Sequence, residues 1–193
     1  MRTRTWFGAL LVTISVCLLL GSPTAMADKT SGAYKLGGVW IARVVNPIIP
    51  VPSQWSYVVV ADPSGTRASG YGSVDMGFNT TAILGNPYFE PTDSASPILV
   101  EIVRTGPDTA TYNSVYYGLK KLDPPSPINA AIVYIGVVKG ELKFIAPDKA
   151  EGTHSFELYY PEQDVNGDGL PDEGQTTPFT FTLETVDTRL PAP

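Results

Sequence analysis

From Leu36 onward, short runs rich in Val, Ile, Tyr, Thr and Phe are cut by clusters of Pro, Gly, Asp and Asn. That is the pattern of strands separated by turns. In Gln54–Ala61, Trp55, Tyr57, Val59 and Ala61 share one face. In Thr109–Leu119, Ala110, Tyr112, Ser114 and Tyr116 oppose Asn113, Val115 and Tyr117, and farther on Phe179, Phe181 and Leu183 alternate with Thr180, Thr182 and Glu184. A period of two sets one face of a strand on a core and the other in water. The pattern predicts strands at Val39–Val45, Gln54–Ala61, Thr66–Val74, Ile98–Thr105, Thr109–Leu119, Ala130–Val138, Glu141–Ala146, Thr153–Tyr160 and Pro178–Val186. Asp62-Pro63-Ser64-Gly65 and Thr105-Gly106-Pro107-Asp108 have turn composition, and Lys139-Gly140 reads as a tight hairpin. Links this short hold no crossover helix, so sequence neighbours pair antiparallel. Asp75–Leu84 reads as loop or a short helix. The expected fold is all-β, an antiparallel meander of about nine strands closed into a barrel that removes both exposed edges, with a two-sheet sandwich as the alternative.

The first 27 residues stand apart from this pattern. Arg2 and Arg4 precede a mainly apolar run from Trp6 to Leu20, and Ala25-Met26-Ala27 offers small residues where a signal peptidase reads. Residues 1–27 are therefore expected to be a secretory leader, and residues 28–193 a single domain that is secreted or periplasmic. The apolar run is shorter than the roughly 20 residues a spanning helix needs, and Ile128–Val138, the richest later stretch, is shorter still. No membrane insertion is expected after leader removal.

Removing the leader also removes Cys17, the chain's one cysteine, so the domain relies on its core rather than on disulfides. The leader carries two of the 13 basic residues and none of the 19 acidic ones, which takes the net charge from −6 to −8. Nucleic acid and anionic membranes both demand a basic face, so neither is an expected partner. Pro124-Pro125-Ser126-Pro127 reads as a rigid connector inside the domain.

The sharpest local motif is Asp164-Val165-Asn166-Gly167-Asp168-Gly169-Leu170-Pro171-Asp172-Glu173. Side-chain oxygens fall at loop positions 1, 3, 5 and 9, Gly169 at the sharp turn of position 6 and the Leu170 carbonyl at position 7, a spacing that wraps oxygens around one hard cation. This segment resembles the calcium loops of EF-hands, dockerins and thrombospondin-type repeats. The resemblance implies Ca2+ as a structural cofactor held by Asp164, Asn166, Asp168, Leu170, Asp172 and Glu173. Gln175 stands at position 12, where an EF-hand carries a bidentate Glu, and no flanking amphipathic helices are present, so no helix-opening switch is implied. The alternative is a solvated acidic turn.

At the front of the domain, Gly38-Val39-Trp40 opens the first strand after Tyr34-Lys35-Leu36, and Arg189 follows the last predicted strand. This pattern resembles the lipocalin and calycin barrels, in which a Gly-x-Trp and a late Arg stack across the closed end. The resemblance implies that Trp40 and Arg189 are structural, through an indole face that attracts a guanidinium. The alternative is that Trp40 is an ordinary core aromatic.

Candidate chemistry is sparse. The domain has one histidine, His154, on a predicted strand, so His-rich zinc sites are excluded. No Gly-x-Ser-x-Gly elbow, phosphate loop or dinucleotide fingerprint occurs. Glu101 shares a face with Leu99 and Val103; if that face is the inner one, its carboxylate lies in the lumen as a ligand contact or general acid, and otherwise it is outward or paired with Arg104 or a lysine. Glu101, Asp75 and His154 are the candidate acid or base groups of an enzyme acting on a small molecule. Trp55, Tyr57, Tyr112, Tyr116, Tyr134 and Tyr159, with Glu101, are candidates to line a ligand cavity, or alternatively to fill the core. Three functions are open: a non-catalytic barrel that binds a small ligand or an extracellular component and is stapled by calcium, a lumen-sited enzyme, and a structural or adhesive surface module.

Overall fold

The computed structural model describes residues 34–45, 53–74, 87–122 and 130–191. The leader with Cys17, the Asp75–Leu84 stretch including the candidate Asp75, and the Pro124–Pro127 connector lie outside the described residues.

Nine strands form one antiparallel sheet: β1 (Gly38–Val44), β2 (Gln54–Ala61), β3 (Arg67–Val74), β4 (Ser94–Ala95), β5 (Ile98–Arg104), β6 (Thr109–Lys121), β7 (Ala130–Ala146), β8 (Lys149–Tyr159) and β9 (Phe179–Arg189). The sheet closes on itself through the β6–β7 and β1–β9 ladders, so eight strands make a barrel in sequence order and β4 adds two residues to the end of β6. The fold is the expected closed meander, and closure leaves no long unpaired edge in the barrel wall.

Inward positions follow the alternation. Trp40 and Ala42 of β1, Trp55, Tyr57 and Val59 of β2, Val100 and Ile102 of β5, Tyr112 and Tyr116 of β6 and Leu183 of β9 are all buried. On β3 the inner positions include glycines, because a Cβ at Gly70 would fall 1.9 Å from the Val58 carbonyl oxygen and one at Gly72 2.4 Å from that of Ser56. Only glycine permits that close approach of β3 to β2.

Two boundaries differ from the sequence pattern. Lys139-Gly140 makes no hairpin: β7 runs unbroken through it, with Gly140 opposite both Tyr112 and His154. The glycine answers to packing rather than to a turn, since a Cβ there would lie 2.4 Å from His154 Nδ1. The turn falls instead at Pro147-Asp148, which starts β8 earlier than predicted. Strand β9 likewise extends to Arg189, which pairs with Trp40 across the β1–β9 ladder rather than lying beyond the last strand.

The two ends of the barrel are unlike. One carries the short turns after β2, β5 and β7, together with the approach segment 34–37. Leu36 is buried there, Tyr34 stacks on Phe144, and the Arg104 guanidinium donates to the carbonyls of Tyr34, Gly65 and Pro107. Trp40 donates its indole N–H to the Leu36 carbonyl at 3.0 Å and packs on Tyr57 and Phe144. The Arg189 stem lies over Gly38, where a Cβ would come within 3.0 Å of it. At the other end lie the last residues of β1, β3, β6 and β8 and the described segments 87–93 and 160–178.

Candidate functional site

The lumen divides into two halves of different chemistry. In the half nearer the turns, a hydrogen-bonded line of four residues runs across three strands, β2, β9 and β8. Tyr57 donates to Asp187 Oδ2 at 2.7 Å, Thr185 donates to Asp187 Oδ1 at 2.6 Å, and His154 Nε2 lies 3.1 Å from Thr185 Oγ1. Thr185 has a single proton, and with that proton on Asp187 its oxygen accepts from His154 Nε2–H. Nδ1 then carries the lone pair, and it is buried without a partner.

His154 is held on edge between Trp55 and Tyr112, with ring centroids 5.2 and 4.9 Å away. Gly140 and Gly152 make room for it on either side, because a Cβ at Gly152 would come 2.5 Å from Nε2. Burial lowers its pKa to about 4, since a second ring proton would find neither water nor an acceptor. Burial pushes the Asp187 carboxyl up, against the opposing hydrogen bonds from Thr185 and Tyr57. Burial also raises Tyr57, with the Asp187 charge beside it adding to the rise. None of the ion pairs among the described residues includes Asp187. The Tyr57 and Thr185 hydroxyls are the hydrogen-bond partners of its two oxygens.

The half nearer the loops is less complete. A void of about 10 Å³ is lined by Trp55, Ile98, Tyr112, Ser114, Tyr116, Val138 and Phe156. Three of these residues carry a buried polar atom without a hydrogen bond: Trp55 Nε1, Ser114 Oγ and Tyr116 Oη. Ser114 and Trp55 lie close enough to the Tyr112 phenol to oppose part of the rise that burial imposes on it, yet neither makes a well-formed bond. Burial likewise raises Tyr116, and the neighbouring Tyr134 phenol adds to the effect. A buried polar group left unpaired costs about 1–3 kcal/mol, so these atoms favour a partner that completes bonds their phenol neighbours make only in part.

Aromatic rings lead from this void to the loop end. Tyr116 packs edge-on to Tyr134, Tyr134 to Phe89, and Phe89 lies 4.9 Å from Tyr160. Phe89 is buried but belongs to the connection between β3 and β4 rather than to a barrel strand. It can therefore move without breaking a ladder.

The sequence candidates fall into three places. Trp55, Tyr57, Tyr112, Tyr116, Tyr134 and His154 all point inward and are brought together in the lumen. Glu101 is not: its strand turns Ile98, Val100 and Ile102 inward, so the Glu101 carboxylate is outside, half exposed and paired with Arg67 at 3.0 Å. The lumen role expected for it is withdrawn, and its partner is neither Arg104 nor a lysine. Tyr159 is outward too and donates to Glu157. The residues not taken as candidates are Asp187, Thr185 and Ser114, although the strand pattern already set Ser114 on one face with Tyr112 and Tyr116. The signal for Asp187 was its place two residues beyond Thr185 in a strand whose even-numbered neighbours face water.

The acidic segment lies back against the outer wall, where Tyr117 donates to the Gly169 carbonyl at 2.9 Å and the turn Pro161–Gln163 packs on β7. Gly167 and Gly169 take positive φ of 76° and 88°. Asp164 accepts from the amides of Gly167, Asp168 and Gly169, Asn166 from Asp168, Asp168 from Leu170, and Asp172 from Val165. Each oxygen set thus turns onto its own backbone. Among the described residues no group of three or more His, Cys, Asp and Glu is placed to hold a metal ion. A separate open groove of about 390 Å³ on the outer wall is lined by Val39, Val58, Tyr71 and Pro97 among others.

No protein-family profile matches the chain, and no curated protein matches it. A solved structure described as EF1p2_mFAP2b bound to DFHBI is similar over 83% of this chain and all of its own, with 14% identity and a TM-score of 0.45. A likeness that distant carries nothing about what this chain binds. Among the described residues no helix is long and apolar enough to cross a membrane.

Proposed function

We propose that this chain is an exported barrel that binds a small molecule in the loop-end half of its lumen. The observation that carries the reading is the contrast between the two halves: the Tyr57–Asp187–Thr185–His154 line is bonded end to end save for Nδ1, whereas Trp55, Ser114 and Tyr116 present unpaired polar atoms to a common void. As it stands, that void has room for about one water. A larger ligand enters from the loop end by shifting the Tyr116, Tyr134 and Phe89 rings that stand in series there, and its binding free energy offsets the lost ring contacts. A lumen enzyme is less well supported, because Glu101 is outside and the Asp187 oxygens are already engaged. Export rests on the leader pattern and the calycin kinship on Gly38, Trp40 and Arg189.

The test is thermal melting of the protein produced from Asp28 onward, with benzamide up to 10 mM, roughly the range in which fragment-sized ligands act. The reading expects the melting point to rise with benzamide, and to rise further for Phe89→Ala, in which the outermost of the three rings is removed. A melting point that stays flat in both proteins makes the lumen a sealed core and leaves the structural module in its place.

Calcium stabilisation of Asp164–Glu173 is a second part of the proposal. It is supported by the oxygen spacing and by the two left-handed glycines at loop positions 4 and 6. Binding would exchange the amide partners of Asp164 and Asp168 for the ion.

A further inference from the structure

Resting on the lumen reading, we infer that the site takes an uncharged ligand that offers a hydrogen-bond acceptor, such as a carbonyl oxygen, to the Trp55 indole N–H and the Ser114 hydroxyl. Each part of that description follows from a different feature of the void. The indole N–H only donates, so the group that meets it must accept. Ser114 and Tyr116 donate or accept, so either satisfies whatever the acceptor leaves open. Both Trp55 Nε1 and Ser114 Oγ are buried and unpaired, which makes a ligand oxygen placed between them a gain that water in bulk does not match.

Charge is excluded from both directions. No Lys, Arg, Asp or Glu lines the void, so an ionic group would lose its hydration against indole, phenol and aliphatic walls with no counter-charge. An anion meets a further penalty from the Asp187 carboxylate deeper in the same lumen. A cation gains little from it, because Tyr57 and Thr185 occupy both carboxylate oxygens and the His154, Trp55 and Tyr112 rings lie across the path.

Benzamide, benzoate and benzylamine share one ring and nearly one size and differ in charge at pH 7, and toluene lacks the acceptor. Calorimetric titration of all four into the wild-type protein and into Trp55→Phe and Ser114→Ala separates the possibilities. We expect benzamide to bind about tenfold or more tighter than benzoate or benzylammonium, consistent with the cost of desolvating an ion. Each substitution is expected to weaken benzamide by about fivefold while leaving toluene within about twofold, as loss of one hydrogen bond predicts. Trp55→Phe and Ser114→Ala are small enough changes that circular dichroism and the melting curve establish folding before the titration.

Equal or tighter binding of either ion than of benzamide overturns the ligand class while leaving a lumen site intact. Benzamide binding that neither substitution alters overturns the assignment of the acceptor to Trp55 and Ser114, and places the probe elsewhere, the outer groove beside Tyr71 being the alternative. Absence of binding by all four compounds, in the wild type and in Phe89→Ala, removes the lumen reading itself.

Discussion

Replacing His154 by Gln changes how stability depends on pH while keeping a donor near Thr185. His154 is fully buried, and its pKa falls from the ordinary 6.5 to about 4 because burial disfavours the charged ring. Between those two values the unfolded chain binds the proton and the native protein does not, so stability rises with pH there. The contribution is fully present above the unfolded value and is lost as pH falls from 6.5 toward 4. The full interval corresponds to roughly 3 kcal/mol, of which about 2 kcal/mol is already lost at pH 4.5 relative to pH 7. Asp187 acts in the opposite sense, since a raised carboxyl pKa stabilises the native state at low pH and the gain is lost as pH rises. The wild-type profile alone therefore mixes two slopes, whereas its difference from His154→Gln isolates the imidazole. Urea unfolding followed by circular dichroism at pH 7 and pH 4.5 measures both proteins. The wild type should lose about 2 kcal/mol more than His154→Gln between these pH values. Parallel losses, or an imidazole titrating near 6.5 in the native protein by NMR, would refute the buried neutral ring.

Tyr57→Phe removes one of the two donors on Asp187, and should cost about 1–3 kcal/mol of stability in urea unfolding at pH 7, with less loss at pH 4 as the carboxyl takes up a proton. Gly140→Ala puts a Cβ 2.4 Å from His154 Nδ1 and 2.9 Å from the Thr153 carbonyl oxygen, so its melting point should fall well below that of the wild type. Glu101→Gln breaks only an exposed pair with Arg67 and should change stability by less than about 1 kcal/mol. For the acidic loop, melting in 5 mM calcium against chelator, about the range of extracellular sites, should show a higher midpoint with calcium and none of that gain in Asp164→Asn. Coincident curves would remove the metal from the account.

The strand alternation carried the architecture because a half-buried strand must alternate, and the inward Trp55, Tyr57, Tyr112 and Tyr116 were legible for that reason. Gly140 misled because glycine has two uses, a turn and a vacancy for a neighbour's side chain, and only the His154 ring opposite distinguishes them. Glu101 was ambiguous in the same way: alternation fixes which residues share a face but not which face is inside, and Ile98, Val100 and Ile102 outweigh Leu99 and Val103. Asp187 was hidden because a lone carboxylate on a strand normally faces water, and its two hydroxyl partners come from β2 and from its own strand. The inequality between the halves of the lumen was not legible at all. It depends on hydrogen-bond geometry at Trp55, Ser114 and Tyr116, which no spacing encodes.

The two indole N–H resonances of the protein from Asp28 onward offer an internal comparison. Trp40 already donates to the Leu36 carbonyl, whereas Trp55 donates to nothing. In a two-dimensional nitrogen–proton spectrum recorded during a benzamide titration, the Trp55 resonance should move downfield to saturation while that of Trp40 stays in place. A Trp55 signal that does not move, or two signals that move together, would contradict a ligand site in the loop-end lumen.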